Sequence, residues 1–213
     1  MTELQLRKQI IGTALSMNAL GINRGKSGNV SARWKDGFLI TPSALPYDET
    51  RPADIVFIDK QAKARGRCPP STEWRFHFDI YRSKHDVHAV VHTHSSFATT
   101  LACLGMGVPA FHYMVAVAGG NDIRCAPYAT FGTQALSDHA MQAMRERRAC
   151  LLANHGMIAT GADLKGTLAR AVEVEALCEQ YWRALQIGKP ALLSDEEMST
   201  VVEKFRNYRV RTR

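Results

Sequence analysis

Two histidines, His92 and His94, sit one residue apart in the stretch HAVVHTHSSFATTLACLG, from His88 to Gly105. In a strand, residues i and i+2 face the same way. Both imidazoles can then converge on one point. Two readings are open: a hydrogen-bonded pair at a strand end, or half of a metal site that needs ligands from elsewhere. His155, in LLANHGMIA, lies at the end of another apolar stretch, and Gly156 after it leaves room to look inward. Three imidazoles leave a position open on zinc, as in catalytic rather than structural sites. Cobalt or manganese can occupy the same donors. Glu73, at the start of a helix, is the acid best placed to complete the set. A turn histidine bonded to backbone explains His155 alone, but not all three rings.

An anion site is the second chemistry the spacing suggests. GINRGKSGN lacks the spacing and the strand-to-helix context of an ATP-binding P-loop. Its Gly28 and Asn29 can still expose donors to an anion. TPSAL adds Ser43 and a bend, and PPSTEWRF puts Ser71 and Thr72 at a helix N-terminus, where free N–H groups favour negative charge. Plain helix capping explains the last segment equally well. Three such segments together suit a phosphate. A covalent nucleophile has no frame here: there is no GxSxG elbow, and no cysteine stands beside a histidine in a recognisable arrangement. Lys35, Lys60, Lys84 and Lys165 stand among polar neighbours, unlike a Schiff-base lysine.

Elements must carry these groups. Leu4, Leu6, Ile10, Ile11, Ala14, Leu15 and Ala19 recur at near-helical spacing before Gly21. NVSARW and GFLITP read as strands joined at Lys35-Asp36-Gly37, and DIVFID as a third. ARGRCPP reads as a loop. Ser71 or Thr72 can cap a helix from Glu73 to about Ser83, with Trp74, Phe78 and Tyr81 on its apolar side. HAVVHTH is a strand and SSFATTLACLG a helix. IRCAPYA is a short strand, and a helix spans about Gln134 to Arg147. ACLLANHGMIATG is strand, turn and strand. A long helix runs from about Asp163 to Ile187. Ser194 caps a last helix, with Glu197 at the capping-box position. The interleaving, without linker or repeat, predicts one α/β domain over residues 1–213, with a mainly antiparallel sheet covered by helices.

Composition narrows the function classes. The 213 residues suffice for one sizeable core. With 46% hydrophobic and 22% charged residues, the chain reads as an ordinary globular protein. Its amphipathic, charged start lacks a signal core, so the expected location is the cytoplasm. Five scattered cysteines, never in CxxC, fit reduced thiols. The net charge of +7 is partly carried by Lys204, Arg206, Arg209, Arg211 and Arg213. No nucleic-acid motif accompanies it, so neither nucleic acid nor membrane is an expected partner.

Taken in order, GNVSAR, ITPSALPY, STEWRFH, AVVHTHSSFATTLA, FHYMVAVAGGNDIRCAPYATFGT, LLANHGMIATG and LSDEEMSTVVEKFRNY resemble the class II aldolase/adducin family, over almost the whole chain to about Tyr208. The resemblance implies an α/β/α sandwich around an antiparallel sheet, and a fourfold-symmetric homotetramer with active sites at subunit boundaries. It implies that His92, His94 and His155 bind zinc, with Glu73 as fourth ligand at rest and acid/base in turnover. Gly28, Asn29, Ser43, Ala44, Ser71 and Thr72 would follow the substrate phosphate. Tyr113 would reach in from a neighbouring subunit to the aldehyde end, and Phe131, Phe205 and Tyr208 would line or close the site. The implied reaction is reversible cleavage of a ketose 1-phosphate (L-fuculose 1-phosphate or a related 5-deoxypentulose 1-phosphate) to dihydroxyacetone phosphate and an aldehyde. Other branches are a 5-deoxyribulose or methylthioribulose 1-phosphate salvage aldolase, a sugar-phosphate 4-epimerase and a methylthioribulose-1-phosphate dehydratase. Adducin-type members are non-catalytic and lack the histidines. Relatives usually carry a small residue at Lys26, glycine at Ala44 and serine at Thr72.

Overall fold

A computed structural model describes residues 1–207. One eight-stranded sheet runs in the order β4-β3-β2-β1-β5-β8-β7-β6. Its strands are β1 (Asn29–Trp34), β2 (Gly37–Ile40), β3 (Val56–Ile58), β4 (Ala64–Arg65), β5 (Ala89–Thr93), β6 (Cys125–Ala126), β7 (Ala149–Leu152) and β8 (Gly156–Gly161). Among the described residues, only the β6–β7 pair is parallel. The helices are α1 (Glu3–Ala19), α2 (Trp74–Ser83), α3 (Ser96–Cys103), α4 (Gln134–Ala143), α5 (Leu164–Ile187) and α6 (Asp195–Asn207).

Two apolar layers flank the sheet. On one side, α1, α3 and α5 pack over Val30, Ala32, Val91, Met157 and Ala159. On the other, α2 and α4 cover Phe38, Ile40, Val90, Cys150 and Ile158. Alternation along β5 sorts Ala89 and Val91 to one face and Val90 to the other. Both faces being covered, all five β5 residues are buried, which is why this strand reads as a continuous apolar run. His92 belongs to the α2 face, where its ring meets Phe76 edge-on at 5.5 Å. The expected α/β/α sandwich is what forms.

The differences from the sequence reading are local. Residues 64–65, read within a loop, add a short edge strand. Helix α4 stops at Ala143 rather than near Arg147. In α1, capped by a Thr2/Gln5 box, the buried stripe is Leu6, Ile10, Ala14 and Met17, and Leu4 and Leu15 are exposed. The inner face of α2 is Phe76, His77, Ile80 and Tyr81, while Trp74 and Phe78 pack at its margin. Helix α6 receives the expected cap, with Ser194 Oγ accepting from Glu197 N at 3.2 Å. No described helix is long and apolar enough to cross a membrane.

Candidate metal centre and active site

The sheet register puts Asn29 of β1 directly beside His92 of β5. His92, the penultimate residue of β5, points towards α2, and His94 is the first residue beyond the strand. His155 comes from the 153–155 turn between β7 and β8, where Asn154 takes φ 56°. Gly156 makes the approach possible, because a Cβ there would lie 2.4 Å from Thr93 O and 3.0 Å from His94 Cδ2. Glu73 enters from the first residue before α2. It occupies the N-cap position but makes no cap bond with its side chain. Ser71 Oγ instead accepts from Glu73 N at 3.3 Å. The carboxylate is thus released to the site, with the α2 N-terminus favouring its charge.

These four side chains converge. Each offers one donor atom, and the four atoms lie within 4.8 Å of one another. The three imidazole centroids are 4.8–4.9 Å apart, with planes inclined 73–74° pairwise, a propeller about a common centre. His92 Nδ1 donates to Met157 O at 2.9 Å, which directs Nε2 inward. Glu73 Oε2 is 3.1 Å from His92 Nε2, and Oε1 is 3.0 Å from His155 Nε2. Yet the buried Oε1 has no aligned hydrogen-bond donor. A buried carboxylate oxygen facing ring nitrogens without a hydrogen bond is what a shared cation would satisfy. The donor set suits a borderline divalent ion, so the residues fit a metal.

The electrostatics agree. Burial by itself would raise the Glu73 carboxyl, but His92 and His155 outweigh it and hold the group well below the usual carboxylate range. Against its own burial, Glu73 lifts the His92 ring above its ordinary value. Burial, with His92 and His155, pushes His94 down to about 3. The carboxylate therefore recruits positive charge to this point, and His94 stays a neutral donor. Glu175 of α5 fixes the chain that follows His94: it accepts from Ser95 Oγ at 2.6 Å and from Phe97 N and Ala98 N at 2.8 Å. This satisfies the α3 N-terminus and pins the chain just past His94.

The three anion-suited segments meet beside this centre. Ser43 N donates to Pro69 O at 3.0 Å and Ser71 N to Thr41 O at 3.1 Å, tying the second segment to the third. Lys26 Nζ donates to Ala44 O at 2.8 Å, tying the first to the second. Gly28 is needed for packing, since a Cβ would stand 2.5 Å from His92 O. Tyr47 O–H donates to its carbonyl.

A profile of the Class II Aldolase and Adducin N-terminal domain matches residues 8–182. The chain belongs to the class II aldolase and adducin family. The 5-methylthioribulose-1-phosphate/5-deoxyribulose-1-phosphate aldolase of Rhodospirillum rubrum is 58% identical, covering 97% of this chain and 94% of its own length. The L-fuculose phosphate aldolase of Escherichia coli K12 is 49% identical, with 97% of both chains covered. A solved L-fuculose 1-phosphate aldolase structure superposes with TM-score 0.92 at 38% identity, over 95% of this chain and 96% of the other. The family's aldolases are metal-dependent, and Glu73, His92, His94 and His155 form a group able to bind a metal.

Within this family fold, the remaining expected residues separate into two groups. Phe131 is exposed and precedes Gly132, which packs on Thr72 and whose carbonyl accepts from Arg75 at 2.7 Å. It thus stands near the start of α2 and Glu73. Tyr113 and Phe205 stand together elsewhere, lining an apolar cavity of about 920 Å³ with Phe111, Leu193 and Val201, and none of the four converging residues lines it. Tyr208 lies outside the described residues. Two findings were not foreseen. Asn29, expected along the phosphate, gives its side chain to Glu73 and His77. His77 itself was overlooked, although it stands four residues after Glu73 on one helix, a spacing that shares a face.

Proposed function

We propose that the chain cleaves a ketose 1-phosphate with an apolar terminal carbon, reversibly, to dihydroxyacetone phosphate and an aldehyde. The convergence of Glu73, His92, His94 and His155 carries this reading. Zinc is the ion that three imidazoles and one carboxylate favour. When bound, it supplies Lewis-acid stabilisation of the negative charge that develops on substrate oxygens as the carbon–carbon bond breaks. The Gly28–Asn29, Ser43–Ala44 and Ser71–Thr72 segments hold the phosphate, so the reacting carbons are presented to the centre. In the synthetic direction the ionised Glu73 removes a proton from C3 of dihydroxyacetone phosphate, the freed electron pair forms the C3–C4 bond, and the aldehyde oxygen takes a proton from the Tyr113 O–H. Solvent returns the proton from Glu73 to Tyr113, which restores both groups. Cleavage is the same sequence reversed.

Tyr113 is exposed and lines a cavity that none of its own chain's four converging residues lines. It serves, with Phe205, the centre of an adjacent copy in a homotetramer of fourfold symmetry. Exposed apolar residues such as Leu104, Tyr128, Ile187 and Leu192 supply surface for that assembly. Phe131 completes the rim. The cytoplasm is the compartment that suits free thiols and a phosphorylated metabolite.

The 58% relative's name includes 5-deoxyribulose and 5-methylthioribulose 1-phosphates, the 49% relative's name L-fuculose phosphate, and the superposing solved structure's name L-fuculose 1-phosphate. All three ketoses end in an apolar group, a methyl or a thioether. The deciding experiment is a coupled assay for dihydroxyacetone phosphate with each ketose, with and without chelator and added zinc. Zinc-restored release from a 5-deoxypentulose phosphate, exceeding that from fuculose 1-phosphate, is the expected result. Silence with all three from zinc-loaded protein overturns the reading in favour of the epimerase or dehydratase branch.

A further inference from the structure

Behind Glu73, five buried polar groups form one continuous chain, Glu73 included. Asn29 Nδ2 donates to Glu73 Oε2 at 2.9 Å. Asn29 Oδ1 lies 2.5 Å from His77 Nε2. His77 Nδ1 lies 2.7 Å from Ser31 Oγ, which lies 2.8 Å from Tyr81 O–H. His77 and Ser31 have no exposed surface, and Asn29, Glu73 and Tyr81 have almost none. No water can substitute for a missing partner without opening the core.

Donor logic fixes every proton. An ionised carboxylate only accepts, so the Asn29 atom facing Glu73 is the NH2 group. The Asn29 oxygen then faces His77, whose Nε2 must carry the hydrogen. That leaves His77 Nδ1 as an acceptor for the Ser31 hydroxyl, whose oxygen accepts from Tyr81. The opposite imidazole tautomer would turn a lone pair on the Asn29 oxygen and drive the amide to flip. A flipped amide would present oxygen to the Glu73 carboxylate, which is repulsive.

We propose that His77 is a positioning residue: it holds the Asn29 amide in the one orientation that donates to Glu73, and so sets the carboxylate's place in the metal centre. Helix α2 makes this possible, since Glu73, His77 and Tyr81 recur every four residues along its inner face. Strand β1 supplies Asn29 and Ser31 two residues apart on the facing side. The proposal rests on the aldolase reading only for its kinetic consequence, not for the geometry.

The test is zinc affinity, by competition with a fluorescent chelator, alongside kcat and KM for the preferred ketose phosphate. His77→Phe keeps the ring shape and removes both polar atoms. It should weaken zinc binding by about tenfold or more, the usual effect of losing a partner that orients a ligand. It should lower kcat by a similar factor with little change in KM. His77→Gln, which can still donate to Asn29, should recover most of both. In an Asn29→Ala background, His77→Phe should add no further loss, because its route to Glu73 is already cut. If His77→Phe does not fold, Ser31→Ala takes its place, with a smaller loss in the same direction. Unchanged zinc affinity in these variants, or an undiminished loss in the Asn29→Ala background, overturns the proposal. Failure of the wild-type protein to cleave any ketose phosphate refutes the reaction, while the zinc titration still decides the role of His77.

Discussion

His77 should make the protein acid-labile by an amount that can be worked out beforehand. Its burial, with the charge of His92 nearby, pushes its pKa from the ordinary 6.5 down to about 3. It is therefore neutral in the fold at pH 7, and the unfolded chain binds a proton there more readily. A depressed folded value means that its full contribution to stability is present above pH 6.5 and is lost as pH falls towards 3. Between pH 7.5 and pH 5.0, weighing one proton at the two values gives a loss of about 2 kcal/mol from this ring alone. The assay is urea unfolding followed by tryptophan fluorescence, with chelator present and at one protein concentration. Wild type and His77→Gln are each measured at both pH values. Every other titrating group is common to the two proteins, so the difference of differences isolates His77. Wild type should lose about 2 kcal/mol more than the variant. Equal losses would refute the argument, because they would mean that His77 titrates alike in the folded and unfolded chains.

Gly156→Ala would thrust a methyl against Thr93 O and His94 Cδ2; it should cut zinc affinity, measured by chelator competition, by about tenfold or more as His94 is displaced. Lys26→Met removes the ammonium that ties the Ala44 carbonyl, in a residue held at φ 61°. It should raise KM for the ketose phosphate several-fold while kcat changes less, and adding Ala44→Gly, which takes that backbone angle without strain, should recover part of the loss in a KM measurement. Glu73→Gln should lower kcat by about 10²–10⁴-fold, measured in the coupled assay, since a proton-transfer group is lost. Coexpressed Glu73→Gln and Tyr113→Phe chains should regain activity in about one quarter of their sites, if each site pairs Glu73 of one copy with Tyr113 of its neighbour in a rotationally closed ring. No recovery in purified mixed assemblies would place Tyr113 on its own chain's centre.

The sequence by itself determined the sheet, its helical cover and the four converging side chains. Those features are written in local signals: histidines at i and i+2 where a strand ends, a histidine before a glycine between two apolar runs, an acid at a helix start. Each element's type follows from spacing within a few residues, and a motif set in fixed order links them to one family. Tertiary structure decided how the polar groups are shared. Asn29 reads as a loop donor in GKSGN, yet its amide spans Glu73 and His77, 44 and 48 residues away. Lys26, where relatives usually carry a small residue, clamps a carbonyl 18 residues on. Tyr113 and Phe205 carry no mark in the chain of the cavity they share, apart from their own centre. Hydrophobic periodicity selects which face of an element is buried. It leaves open which buried polar atom meets which, because that depends on contacts between elements whose register is fixed only when sheet and helices pack together.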